Sequence, residues 1–312
     1  MTKPNLIFMG TPDFALPALT ILHSGHYPIL SVVTQPDRKA GRGQKETAPP
    51  VKLLAEKYGL PVSQPQKVKE QGFLDMFHQF KPDMVVVAAF GQILPKAIID
   101  FPRFGCLNIH PSLLPKYRGA APLNWSIIRG ETKTGVTIML MDEGMDSGDI
   151  LTQEETAIGK DETVGELHDR LSILGATLLI QTIDRVVSGT ARRQPQDACG
   201  VTFAPRLTKE TGKINWHAGV SDIVNLIRGL SHLPAAYTSF EGQTLKIFSA
   251  FGRTGPVDRP PGTIGVADAQ GLPVAVRDGH VVLTDVQLAG RKRMPLRDLL
   301  RGYQIRKGSV FG

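Results

Sequence analysis

Cysteine is scarce in this chain of 312 residues, which holds two, Cys106 and Cys199. Neither stands in a metal-ligand or redox spacing, so a disulfide framework and a structural zinc are excluded and two reduced thiols are expected. Long apolar runs are also missing. No stretch approaches the roughly 18 apolar residues of a membrane helix, and the N-terminus has neither the basic stretch nor the apolar segment of a signal peptide. A cytoplasmic protein that makes no use of a membrane is expected. The opening strand runs into Gly10-Thr11-Pro12-Asp13, so the Gly-x-Gly-x-x-Gly dinucleotide fingerprint is absent. Ser112 neighbours His110 but lies in no nucleophile-elbow pattern, which argues against serine hydrolysis.

What the chain has in excess is positive charge, and it is placed at one end. From Arg206 onward there are 15 Lys and Arg against 8 Asp and Glu, which accounts for the whole net charge of +7. The remainder is neutral. A basic module attached to a neutral one points to a polyanionic partner, nucleic acid first and an acidic membrane surface second.

The length suffices for two domains, with a sizeable core in at least one. Asn5 to Met9 reads as a strand, Phe14 to Leu22 as a helix and Ile29 to Thr34 as a second strand. That βαβ opening predicts a parallel, doubly wound sheet. Residues 35–50 are too polar and too rich in Gly and Pro to build core, so an exposed basic loop is expected there. Helices are predicted at Val51 to Tyr58 and Phe73 to Phe80, and a strand covered on both faces at Met84 to Ala88. Further on, Pro122 to Arg129 reads as a helix, Val136 to Met141 and Ile150 to Thr156 as strands, and Thr163 to Val187 as a helix with apolar spacing suited to packing on the sheet. Residues 189–208 lose the period and read as a linker. After a helix near Val220 to Leu230, short apolar stretches at Tyr237 to Phe240, Leu245 to Ala250, Gly262 to Val266, Val274 to Val276 and Val281 to Val286 alternate with Gly and Pro turns, predicting a small β-barrel.

The chemistry concentrates in residues 105–122. If Gly105 to His110 is a strand, Leu107 and Ile109 point one way and Cys106, Asn108 and His110 the other. Pro111 ends the strand and leaves Asn108 and His110 near the rim, where open α/β sheets bind ligands. The predicted strand at Val136 to Met141 empties into Asp142-Glu143-Gly144-Met145-Asp146-Ser147-Gly148-Asp149. Four carboxylates exceed the needs of a turn, and one of them paired with His110 gives an acid/base arrangement.

Asn108, the His110-Pro111-Ser112-Leu113-Leu114-Pro115 run, Arg118-Gly119 and the loop from Asp142 to Asp149 resemble the folate-dependent formyltransferases, and within them those acting on methionyl-tRNA. The resemblance covers essentially the whole chain, from Phe8-Met9-Gly10-Thr11-Pro12-Asp13-Phe14 to Leu300-Arg301-Gly302-Tyr303. It implies a Rossmann-like formyltransferase domain at 1–188, a linker at 189–208 and an OB-like tRNA-binding domain at 209–312. It implies Asn108, His110 and Asp146 as the catalytic centre, with Asp142, Glu143 and Asp149 shaping the loop or facing solvent. The folate wall would include Phe90, Gly91, Ile93, Leu94, Pro95, Ser112, Leu113, Leu114 and Pro115.

The reaction implied is transfer of the formyl group of 10-formyltetrahydrofolate to the α-amine of methionyl initiator tRNA, by a monomer and without a metal. Arg42, in Ala40-Gly41-Arg42-Gly43, would reach the acceptor end of the tRNA, with Arg38, Lys39 and Lys45 beside it. Lys39 and Gln44 depart from the commoner residues of that insertion. Lys209, Lys213, Lys246, Arg291, Lys292 and Arg293 would track the phosphate backbone. His232-Leu233 stands where relatives often carry Pro-Trp, which removes any contact made by that tryptophan. A purine-pathway amine or a sugar nucleotide as acceptor fits the same catalytic residues but neither the basic last third nor the 35–50 stretch. Retention of all three catalytic residues argues against an inactive RNA-binding protein.

Overall fold

The structure is a computed structural model that describes residues 2–40 and 45–312. The chain divides into two compact units, the first formed by residues 1–119, 134–156 and 168–204 and the second by 120–133, 157–167 and 205–312.

The first unit is built on a seven-stranded sheet. Its strands, in spatial order, are Ile150–Ala157, Lys133–Leu140, Cys106–His110, Met84–Ala88, Leu6–Gly10, Ile29–Val33 and Val62–Ser63. Leu6–Gly10 pairs in parallel with both Ile29–Val33 and Met84–Ala88, and Met84–Ala88 pairs in parallel with Cys106–His110. Lys133–Leu140 then runs antiparallel to Cys106–His110, with Asn108 opposite Met139 and His110 opposite Thr137. The β-branched run Met84–Ala88 is buried at every position, as a strand covered on both faces must be. The helix Val164–Val187 covers one face, and Gly175 makes this possible: a Cβ there would meet Ile109 at 2.7 Å and Val136 at 3.3 Å.

The strand order reverses between Leu6–Gly10 and Met84–Ala88, and the crevice at the carboxyl ends of such strands is where open α/β sheets bind ligands. Two turns meet there. The Thr11 hydroxyl donates to the Phe90 carbonyl at 2.8 Å, and the buried Gln35 amide donates to the same carbonyl at 3.3 Å.

Three expectations for the first unit differ from the structure. Residues 35–50 are not all loop, since Arg38–Ala40 and Lys45–Thr47 pair as antiparallel strands. Their base is fixed by Asp37, which accepts from Lys52 and from Gln64 at 2.7 Å each. The stretch expected as a linker is tied into the first unit for much of its length: Gln194 bridges to Ile150, and Phe203–Ala204 pairs in parallel with Arg118–Gly119. Cys106 does not begin a polar face, because it is buried among Ile7, Val85, Phe90, Leu94 and Ile98. That face turns polar only at Asn108, as the strand nears its carboxyl end.

The second unit has an antiparallel sheet in the order Ala236–Phe240, Gln243–Thr254, Gly279–Leu288, Leu272–Val276, with Met294–Pro295 also on Gly279–Leu288. Residues 262–266 form isolated bridges, Thr263 to Val310 and Ile264 to Val274, in place of the expected strand. The helix Val220–Leu230 presents Val220, Ile223, Ile227 and Leu230 to the core of this sheet, an i, i+3, i+7, i+10 stripe. Trp216 and Phe311 stack within it, ring centroids 5.3 Å apart. Of the His232-Leu233 departure, Leu233 is 76% exposed. No described helix is long and apolar enough to cross a membrane.

Candidate active site

His110 is buried at the end of its strand, held through one ring nitrogen and facing a carboxylate with the other. Nε2 lies 3.0 Å from the Tyr117 carbonyl, which can only accept, so this nitrogen carries a proton. The neutral ring then presents an Nδ1 lone pair, 3.7 Å from Oδ1 of Asp146. That distance is too long for a hydrogen bond; a proton arriving at Nδ1 converts the contact into an ion pair. The other oxygen of Asp146 accepts from the Gly119 N–H at 2.8 Å. Asn108, two residues before His110 on the same strand face, is partly exposed, and its amide has no protein partner among the described residues. An amide donor, an imidazole and a carboxylate therefore share one opening.

The other acids of the loop do different work. Asp142 accepts from the Gly144 N–H at 3.0 Å and from the Ser147 hydroxyl, shaping the turn. Glu143 pairs with Lys96 at 2.8 Å and so links this loop to the turn after Met84–Ala88. The carboxylates of Glu143 and Asp100 hold the Lys96 ammonium above its ordinary range.

The residues proposed for the folate wall fall into two groups. Phe90 and Leu94 are buried in the sheet core, whereas Ile93 is 90% exposed. Gly91 has φ +85°, and a Cβ there would find only the Gln35 amide, at 4.0 Å. Pro95 caps the short helix Lys96–Ile99. Across the opening, residues 112–115 form a loop held from behind by Thr137, whose hydroxyl donates to the Ser112 carbonyl and accepts from the Leu114 N–H. Gln153 donates to the Leu114 carbonyl. Ser112 is buried and donates to the Lys116 carbonyl at 2.7 Å, so its hydroxyl serves the loop. Leu113 lies close to Gly135, the peptide Leu114–Pro115 is cis, and Leu114 is buried.

Of the basic candidates, Arg38 and Lys39 are exposed on the strand Arg38–Ala40, with Arg38 donating to the Gln35 side chain at 2.8 Å. Lys45 begins the return strand, and Arg42 lies outside the described residues. In the second unit Lys209, Lys213, Arg291 and Lys292 are exposed and Lys246 is partly covered. Arg291 lies over the Tyr303 ring. Arg293 is the least available: it lies over Phe248 and donates through Nε and Nη2 to Asp285 at 2.9 and 2.7 Å.

Known proteins carry the same sequence pattern. A family profile described as Formyl transferase matches residues 4–183, and one described as Formyl transferase, C-terminal domain, matches residues 206–304. The chain belongs to the formyl transferase family. It is 54% identical to the methionyl-tRNA formyltransferase of Syntrophus aciditrophicus (strain SB) over 312 residues, spanning 100% of both proteins. To the methionyl-tRNA formyltransferase of Geotalea uraniireducens (strain Rf4) it is 46% identical, over 100% of this chain and 99% of that one. Among solved structures, WlaRD, a sugar 3N-formyl transferase crystallised with dTDP and 5-N-formyl-THF, matches with a TM-score of 0.67 at 18% identity. That match covers 94% of this chain and 100% of WlaRD, and at this identity it is a likeness of fold.

Within this formyl transferase, several contributors to the site carried little signal in the sequence. Thr137 was the most visible, as a polar residue inside a buried apolar strand that must find partners. Gln196, whose amide Nε2 donates to the Asp146 carbonyl, had no signal, because it sits in a polar stretch without period. Tyr117 and Gly119 act through backbone groups, to which side-chain patterns are blind.

Cys106 is excluded as a nucleophile by its environment. Burial, and then the nearby Asp100 carboxylate, push its thiol from the ordinary 9.0 up to about 12. Because the folded state holds this proton more tightly, the associated stability is present in full below pH 9 and is lost as pH rises toward 12. We expect the stability difference between wild type and Cys106→Ala to shrink by about 1.4 kcal/mol per pH unit in that window, measured by urea unfolding at pH 8, 9 and 10. A difference that stays constant with pH would show that the thiol titrates normally.

Proposed function

We propose that this chain transfers a formyl group from 10-formyltetrahydrofolate to the α-amine of methionine esterified to initiator tRNA. The single observation that carries the reading is the convergence of Asn108, His110 and Asp146 in a full-length relative of methionyl-tRNA formyltransferases. A bond forms between the amine nitrogen and the formyl carbon, the bond from that carbon to the donor nitrogen breaks, and one proton leaves the amine. Asn108 donates its free amide N–H to the formyl oxygen as negative charge gathers there. His110 acts from Nδ1, since Nε2 is occupied by the Tyr117 carbonyl. Protonated at Nδ1, it donates to the same oxygen; Asp146 supports the imidazolium charge and relays the proton lost by the amine to the departing donor nitrogen as the carbon–nitrogen bond breaks.

The crevice suits a flat ring rich in heteroatoms. It offers backbone groups around Phe90 and Gly91, and the loops that follow the two flanking strands are clasped by Lys96 and Glu143. The first unit carries the chemistry in this reading, and the basic second unit with the strands 38–40 and 45–47 attracts tRNA. A formylation assay with charged initiator and elongator tRNAs side by side tests it. Transfer to an amino sugar nucleotide in preference to methionyl-tRNA would sink the reading.

Each phosphate contact neutralised by a lysine or arginine contributes about −0.7 to −0.9 to the slope of log affinity against log salt. Replacing the exposed Lys209, Lys213, Arg291 and Lys292 by glutamine is therefore expected to flatten that slope for every tRNA alike. Affinity for the folate donor should not change. A slope equal to that of wild type, measured by filter binding between about 50 and 200 mM salt, would place the tRNA on another face.

A further inference from the structure

We propose that Gln196, in the aperiodic stretch between the last sheet helix and the second unit, is a positioning residue that sets the Asp146 carboxylate against His110. The inference rests on Asp146 serving the transfer as proposed above.

Asp146 has φ +52°, a left-handed conformation that costs a non-glycine residue on the order of 1 kcal/mol and persists only where the surroundings enforce it. The Gln196 amide supplies the enforcement. Its Nε2 donates to the Asp146 carbonyl and to the Gly148 carbonyl, both at 2.8 Å. Its Oε1 accepts from Nε and Nη2 of Arg118 at 3.0 and 2.7 Å. Carbonyls only accept and a guanidinium only donates, so this orientation of the amide is the one that satisfies every partner. All four hydrogen-bonding sites of the side chain are in use.

The two ends of this amide hold the two sides of the carboxylate contact. One end fixes the backbone of Asp146 itself. The other fixes Arg118, whose neighbour Gly119 gives the N–H that holds Asp146 Oδ2. With the backbone and Oδ2 both constrained, Oδ1 has one direction left, toward Nδ1 of His110. Asparagine is one methylene too short to span the two loops, and glutamate cannot donate, so glutamine is the residue this arrangement needs.

Gln196→Glu tests the idea with almost no change in size: it keeps the acceptor for Arg118 but turns two donations into two repulsions. Kcat for formyl transfer is expected to fall about 10- to 100-fold, the range associated with misplacing a reacting group by up to 1 Å. KM for the folate donor and for methionyl-tRNA should stay close to wild type, and Gln196→Ala should behave alike. Because Gln196 acts through Asp146, combining Gln196→Glu with Asp146→Asn should cost no more than Asp146→Asn alone. Wild-type kcat in both Gln196 variants, while Asp146→Asn is inactive, overturns the inference. So do losses that simply multiply in the double variant, which would mean general damage to the fold. Wild-type turnover in Asp146→Asn instead overturns the reading of the site, and this inference with it.

Discussion

Alanine at His110 lowers kcat for formyl transfer by on the order of 100-fold or more, the usual cost of removing a positioned acid/base group or an oxyanion donor. Alanine at Asn108 does the same, while binding of the folate donor largely survives in both. The reason lies in what each side chain touches. Asn108 spends none of its hydrogen-bonding capacity on described protein groups, so its truncation leaves no buried partner stranded. His110 spends Nε2 on the Tyr117 carbonyl at 3.0 Å, so His110→Ala also frees the loop after Pro111. His110→Gln offers a check, since a side-chain N–H can still reach that carbonyl while the acid/base nitrogen is gone. Asp146→Asn should be as damaging as His110→Ala, because it keeps an acceptor for Gly119 but removes the charge that supports the imidazolium. Single-turnover measurement at saturating folate donor and tRNA reads the chemical step directly. Near-wild-type rates in any one variant remove that residue from the mechanism.

What the sequence made legible was whatever is carried by apolar period or by side-chain chemistry at a strand end. The parallel strands, the helix Val164–Val187 and the placing of Asn108 and His110 at the rim all follow from such signals. The pairing of 38–40 with 45–47 was not legible, because the two short strands bury little and are held by the Asp37, Lys52 and Gln64 contacts across the sequence. Residues 189–208 read as a linker for the same reason: backbone pairing and isolated polar side chains, the Gln196 amide and the Thr202 hydroxyl, hold much of the stretch, and neither leaves a period. Cys106 misled in the opposite direction. Alternation put it on the face of Asn108 and His110, but at that depth the face is closed over by Phe90, Leu94 and Ile98. Alternation assigns a side chain to a face; what covers that face is decided by segments distant in the chain.

Gly119→Ala is expected to abolish most activity although it adds one methyl group outside the catalytic centre. Gly119 has φ +118°, a conformation that side chains rarely adopt, and a Cβ there would sit 2.8 Å from the Ala204 carbonyl oxygen. Strain of this kind costs about 1–3 kcal/mol, and it is relieved only if residues 118–119 move away from Phe203–Ala204. That movement carries the Gly119 N–H off Asp146 Oδ2 and shifts Arg118 against Gln196, so both restraints on the carboxylate loosen together. A displacement of about 1 Å at a reacting group is enough for a roughly 100-fold loss. The variant should therefore lose kcat by that order while its midpoint of thermal unfolding falls by only several degrees, as a cost of about 1–3 kcal/mol implies for a chain of this size. The same methyl placed at Gly242, which also has positive φ but no atom within 4 Å, isolates the conformational cost from the clash. Gly242→Ala should lower stability slightly and leave turnover alone. If Gly119→Ala turns over normally, the Gly119 N–H is dispensable and Asp146 is held by its backbone alone.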